Sequence, residues 1–206
     1  MTPTELVESH KGKSRRSANA AWLFFLRWLA NPLSMGSVTP SSETLGRLIT
    51  RQVQCGPDEV VVEFGGGTGP ITKALLDSGL PPNRLYVFEI DPELADYLRR
   101  NFPGVNIIHG DCRQAGHLID HLHVGKVGTV VCGIPMVTLP VDVQREIVQE
   151  SFSIMPAGRK LLLYTYMALS PLNMKSLGIR GKRLAWTPAN FPPASVWGYT
   201  KPDNHH

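Results

Sequence analysis

The sequence predicts a doubly wound α/β domain with a mostly parallel seven-stranded sheet. Three observations carry this. Short apolar or β-branched runs alternate with helical stretches along most of the 206 residues. That is the pattern of βαβ units, whose right-handed crossovers put helices on both faces of a parallel sheet. A glycine-rich turn, Gly65-Gly66-Gly67-Thr68-Gly69, directly follows the first such run and opens a helix. A hydrophobic content of 42% and a charged content of 18% suit one domain with a full core. In sheets of this kind ligands bind beyond the carboxyl ends of the strands.

Each element follows in chain order. Residues 1–14 are polar, and residues 15–30 read as a helix that stops at Asn31-Pro32. Residues 1–35 are assigned to a basic, amphipathic segment and 36–204 to the α/β domain. After a loop over 36–42, Ser41 or Ser42 caps a second helix. Leu45, Leu48, Ile49 and Val53 share one face of it, and Cys55-Gly56-Pro57 ends it. Val60-Val61-Val62 is the first strand. Beyond the glycine turn, Ile71, Leu75 and Leu76 recur at helical spacing. Pro81-Pro82 precedes a second strand over 85–90, and Pro92 starts a helix carrying Leu94, Tyr97 and Leu98. Strands three and four lie at 105–108 and 127–132, a helix at about 141–153, and a fifth strand at 161–166. Runs around Leu184 and Val196 pair as a terminal hairpin.

The net charge is +4, which favours a polyanionic partner, either nucleic acid or an anionic membrane. Basic residues gather at His10, Lys11, Lys13, Arg15 and Arg16, and again at Lys175, Arg180, Lys182 and Arg183. Cys55, Cys112 and Cys132 are odd in number and far apart, as in a cytosolic protein with reduced thiols. His117 and His121 are spaced as on one helical face, but no cysteine or acidic ligand pattern accompanies them or His109 and His123. No metal is expected. The apolar stretch 20–26 is interrupted by Arg27, well short of the ~20 residues a membrane span needs.

The glycine turn departs from the dinucleotide fingerprint, which asks for a third glycine where Pro70 stands. Glu63, just before the glycines, would repel a pyrophosphate. It suits a ligand with an ammonium and a sulfonium group, and S-adenosylmethionine has both. Glu89 ends the second strand twenty residues beyond Gly69, followed by Ile90, and its carboxylate can accept both ribose hydroxyls. Asp111, in His109-Gly110-Asp111-Cys112 after the third strand, would face the adenine amino group. Glu63, Gly65, Gly66, Gly67, Gly69, Glu89, Ile90, Asp111 and Cys112 thus form the expected cofactor set. Their spacing resembles that of the class I S-adenosylmethionine-dependent methyltransferases, whose spent cofactor is S-adenosyl-L-homocysteine.

Three further segments narrow the resemblance. They are Asn31-Pro32-Leu33-Ser34-Met35-Gly36-Ser37-Val38-Thr39-Pro40-Ser41-Ser42, Val131-Cys132-Gly133-Ile134-Pro135-Met136 and Asn190-Phe191-Pro192-Pro193-Ala194-Ser195-Val196-Trp197. Together they resemble the bacterial phospholipid N-methyltransferases from about Phe25 to Trp197. The resemblance implies stepwise methylation of the phosphatidylethanolamine amine towards phosphatidylcholine. It also implies that Ser37 covers the cofactor, with Gly133 beside it, and that Pro135 and Met136 line the place where amine meets methyl.

The N-terminal helix fits a lipid substrate. Ala18, Ala21, Trp22, Phe24, Phe25, Trp28 and Leu29 fall on one side, and Arg15, Arg16, Asn19 and Arg27 opposite, with Leu23 and Leu26 intruding. Such a helix lies in a membrane interface, with Arg15, Arg16, Trp22, Phe25 and Trp28 as contacts. A helix packed on the sheet is the alternative. The expected protein is a monomer on the inner face of the cytoplasmic membrane, contacting an anionic surface and no nucleic acid.

For catalysis, Tyr166 is the candidate to orient or deprotonate the amine, or to hold a quaternary product by cation–π attraction. His109 is a second candidate. Arg180, Lys182 and Arg183 are expected to clamp the lipid phosphate. The rivals are an RNA adenine dimethyltransferase, a non-catalytic cofactor-binding module, and an enzyme for another aminolipid such as ornithine lipid. The RNA enzymes carry Asn-Leu-Pro-Tyr after strand four, where this chain has Gly133-Ile134-Pro135-Met136.

Overall fold

The computed structural model describes residues 40–121, 125–167, 169–189 and 193–202. The helix expected over 15–30, with Arg15, Arg16, Trp22, Phe25 and Trp28, lies outside the described residues, as do Ser37 and Asn190-Phe191-Pro192.

The apolar runs become strands: β1 (Glu59–Phe64), β2 (Leu85–Glu89), β3 (Asn106–His109), β4 (Lys126–Cys132), β5 (Leu161–Thr165), β6 (Arg180–Thr187) and β7 (Ala194–Thr200). Among the described residues these form one sheet in the order β3-β2-β1-β4-β5-β7-β6. Strands β1 to β5 pair in parallel, and β7 runs antiparallel between β5 and β6. The hairpin expected around Leu184 and Val196 is this β6–β7 pair. Strand order reverses at β1/β4, the switch point where doubly wound sheets open a crevice for ligands.

The helices are α1 (Pro40–Thr50), α2 (Pro70–Asp77), α3 (Pro92–Asn101), α4 (Ala115–His121), α5 (Val141–Ser153) and α6 (Met174–Leu177). Alternation along each strand splits the core into two layers. On one face Val62, Phe64, Cys132 and Leu163 pack with Ala115, Ile119, Ile147 and Phe152 of α4 and α5. On the other, Val61, Val87 and Leu162 pack with Leu45, Ile71, Leu75 and Leu98 of α1 to α3. Both faces are covered, so the strands read as continuous apolar runs.

The structure departs from the expected elements at α1, which starts at Pro40 and so takes Ser41 and Ser42 inside it rather than as caps, at α4, and at α6, where no helix was expected. Helix α1 ends at Thr50 rather than near Cys55, although Val53 still packs on the core. Helix α4 was not expected as an element. Its seven residues include a glycine and two histidines, so its apolar stripe is short.

Candidate functional site

The turn after β1 is shaped by close approach. Gly65 has φ 77°, and a Cβ there would sit 2.8 Å from the Ile134 side chain. A Cβ on Gly133 would fall 2.7 Å from the Gly65 carbonyl. The ends of β1 and β4 therefore touch through backbone alone. The Gly133 N–H donates to the Phe64 carbonyl at 2.8 Å, and the Gly65 N–H to that of Phe88 at 2.8 Å. Gly69, at φ 82°, starts α2. Any side chain there would enter the Phe102 ring.

Glu89 fixes this turn from the end of β2. Its Oε2 accepts from the Gly67 N–H at 2.8 Å and its Oε1 from the Asp91 N–H at 3.0 Å. The side chain is buried, and burial raises its pKa while these backbone donors hold the rise back. Glu63 is buried too, and accepts from the Thr72 hydroxyl in the first turn of α2 at 2.7 Å. Burial, reinforced by the nearby Glu89 charge, pushes Glu63 up to about 8. Among the described residues no salt bridge reaches either acid. A buried acid pair without a cation is a place where a cationic ligand group gains and a pyrophosphate loses. Thr72 was not foreseen. Its signal is a polar residue on the buried stripe of Ile71 and Leu75.

Asp111 follows β3 as expected, but it is already engaged. Its carboxylate accepts the Arg113 N–H at 2.9 Å and pairs with the Arg113 guanidinium at 2.6 Å. Arg113 also reaches Glu146 of α5 at 2.9 Å. The expected adenine contact therefore meets an acid clamped by an arginine two residues on. The Cys112 side chain is in the core, and burial lifts its thiol pKa well above normal. A contact of Cys112 with the cofactor is therefore left to its backbone. His109 Nε2 lies 3.2 Å from the Ile90 carbonyl. Three strands separate β3 from β5, about 19 Å at the usual spacing. His109 and Tyr166 therefore do not meet at one amine, and His109 belongs to the cofactor side.

Beyond β4 the chain enters a 3-10 turn, Met136–Thr138. That turn swings Met136 into the core, where it is 1% exposed. Met136 is thus a packing residue rather than a lining of the acceptor site, while Pro135 is half-buried and Val137 exposed. Gln144 of α5, missed in the sequence, holds the loop. Its Nε2 donates to the carbonyls of Met136 at 2.9 Å and Leu139 at 3.0 Å. At the end of β5, Tyr166 is exposed and meets Tyr164 edge-on, with centroids 6.4 Å apart. Burial raises the Tyr164 pKa, and Glu63 is among the charges it feels.

Arg180, Lys182 and Arg183 do not form a clamp here. They lie on β6, at the sheet edge. Arg180 pairs with Thr200, at the end of the sheet away from the glycine turn. Basic residues along an edge strand also deter edge-to-edge pairing.

Similar proteins locate this arrangement. No protein-family model matches the chain. The ornithine lipid N-methyltransferase of Singulisphaera acidiphila is 27% identical over 179 residues, covering 85% of this chain and 93% of that protein. Ribosomal RNA small subunit methyltransferase A of Thermotoga petrophila is 33% identical, over 39% of this chain and 31% of its own length. Among solved structures, a TehB-like S-adenosylmethionine-dependent methyltransferase from Corynebacterium glutamicum aligns with a TM-score of 0.56 at 16% identity, covering 89% of this chain and 99% of its own. The magnesium protoporphyrin IX methyltransferase of Synechocystis, solved with bound S-adenosylmethionine, gives 0.54 at 16% identity over 78% of each chain. With the strand order and the glycine turn between β1 and α2, these likenesses establish that the chain has the fold of the class I S-adenosylmethionine-dependent methyltransferases.

Proposed function

We propose that the protein transfers a methyl group from S-adenosylmethionine to the amine of an aminolipid at a membrane surface. Phosphatidylethanolamine and its mono- and dimethyl forms are the substrates read from the sequence, leading to phosphatidylcholine. Ornithine lipid is the second reading, favoured by the relative from Singulisphaera acidiphila, which matches over 93% of its length. The observation that carries the lipid reading is the run of exposed apolar side chains at the carboxyl edge of the sheet. Val137, Tyr166, Met167, Leu169 and Trp186 stand there in the loops after β4 and β5 and near the end of β6. Exposed apolar clusters beside a site mark lipid or protein contact.

Glu63, Glu89 and the glycine turn would hold the cofactor, their buried charge facing its cations. Bound there, S-adenosylmethionine would supply an electrophilic methyl group and leave as S-adenosylhomocysteine. This chain supplies position. Gln144 fixes the acceptor loop, and the Tyr166 hydroxyl oxygen orients the amine, whose proton, carried by most amines at pH 7, leaves to water before the methyl is transferred. The RNA reading is less favoured: those relatives match about two fifths of this chain, and Met136 offers no ring for a flipped base. On this reading the protein works on the inner face of the cytoplasmic membrane, with the segment 1–35 as a contact.

The test is incubation with methyl-labelled S-adenosylmethionine and vesicles holding phosphatidylethanolamine or ornithine lipid, with RNA in parallel. Label in a methylated lipid is the expected result, and the labelled species decides between the two lipids. Label in RNA alone would overturn the proposal.

A further inference from the structure

Residues 151–202 hold seven basic residues and no aspartate or glutamate. Three of the seven, Arg180, Lys182 and Arg183, are exposed on β6. Among the described residues no salt bridge takes any of them. The same strand ends with Trp186, which is 54% exposed, and the loop after β5 presents Leu169, which is 74% exposed. The registers put these together: Trp186 pairs with Ser195, and Ser195 with Thr165 at the end of β5. The register shift between Arg183 and Ala185 places Arg183, opposite Trp197, on the same face as Trp186, opposite Ser195. Lys182 and Arg180 pair with Gly198 and Thr200 on the other face.

We infer that the carboxyl edge of the sheet, led by Trp186 and Leu169 and backed by Arg183 and Lys182, docks on an anionic lipid bilayer. The inference rests on the aminolipid reading of the site and gives it a second, folded membrane contact besides the segment 1–35. A tryptophan and a leucine at the tip enter the boundary between headgroups and acyl chains. Counted along β7, because the bulge in β6 absorbs one residue, and with a rise of about 3.3 Å per residue, Arg183 lies ~7 Å behind Trp186, Lys182 ~10 Å and Arg180 ~17 Å. One headgroup layer plus one Debye length reaches about 15 Å. Arg183 and Lys182 fall inside that reach, and Arg180 falls outside it. Edge-on docking also turns the ends of β4 and β5 towards the bilayer, where a lipid amine must arrive. A polyanion such as RNA would be met by the charges but gives no role to an aliphatic side chain as exposed as Leu169.

Cosedimentation of the full chain with vesicles tests this, using phosphatidylcholine alone and phosphatidylcholine mixed with phosphatidylglycerol. The wild type is expected to prefer the anionic vesicles. The double variant Leu169→Ser with Trp186→Ser is expected to lose tenfold or more in partitioning. Arg183→Glu, which changes the charge by two, is expected to cost about tenfold or more, from about fivefold per charge near a surface. Arg180→Glu is expected to cost less than twofold. Circular dichroism and a titration with S-adenosylmethionine check that each variant stays folded and keeps its cofactor site. Wild-type binding by the double variant would overturn the proposal. So would equal losses for Arg180→Glu and Arg183→Glu, equal binding to neutral vesicles, or Arg183-dependent RNA binding without vesicle binding. If the wild type methylates no micellar aminolipid, the functional reading fails, while the vesicle result still stands or falls on its own.

Discussion

The two halves of the sheet are built differently. From β1 to β3 the site is made of backbone: glycines that admit no side chain, and buried acids held by N–H groups. From β4 to β7 it is made of side chains: exposed aromatics and aliphatics, a loop tied by one buried glutamine, and a charged edge. The solved methyltransferases match across both halves in fold alone. Close approach in the first half tolerates little change, whereas the exposed side chains of the second half can vary, and on the proposed function that is where an acceptor is chosen.

Four substitutions test this contrast. The largest effect is expected at Glu63. Its folded pKa of about 8 lies above the ordinary carboxylate value, so the stability it contributes is fully present below about pH 4.5 and lost as pH rises through 8. The loss amounts to roughly 5 kcal/mol. Glu63→Gln is expected to flatten that decline, melting higher than wild type at pH 8, while binding cofactor at least tenfold more weakly. Denaturant midpoints from pH 4 to 9 and a cofactor titration check both.

Gly69→Ala comes next. A Cβ there meets the Phe102 ring at φ 82°, so about 3 kcal/mol of stability is expected to be lost, read by chemical denaturation. Gln144→Leu leaves the Met136 and Leu139 carbonyls without their donor, at about 1–3 kcal/mol. It is expected to raise the KM for lipid and leave the cofactor Kd within twofold, as steady-state kinetics and a titration would show. Tyr166→Phe keeps the ring and removes the hydroxyl. It is expected to lower kcat about tenfold with little change in KM, the effect of losing one orienting hydrogen bond of about 1.4 kcal/mol.

The contrast also explains what the sequence made legible. Glycines, proline starts and acids at strand ends are local signals, so β1, β2 and the place of Glu89 could be read directly. Thr72, Gln144 and Arg113 act across elements, and only packing brings them to their partners. Met136 was misread because a 3-10 turn, which no nearby residue announces, rotates it inward. Arg180 to Arg183 were misread because the reversal of β7 between β5 and β6 carries them away from the loop they seem to follow. The terminal hairpin itself was legible, but the direction it imposes on those side chains was not.

The central claim is that the buried acids of the first half hold S-adenosylmethionine. Calorimetric titration of wild type and Glu89→Gln tests it most directly, with circular dichroism confirming that both are folded. Glu89→Gln keeps the shape but weakens acceptance from Gly67 and from ligand hydroxyls. Saturable 1:1 binding by wild type and a loss of at least tenfold in Glu89→Gln is the predicted result. No binding by wild type, or equal affinities in the two proteins, would contradict the account.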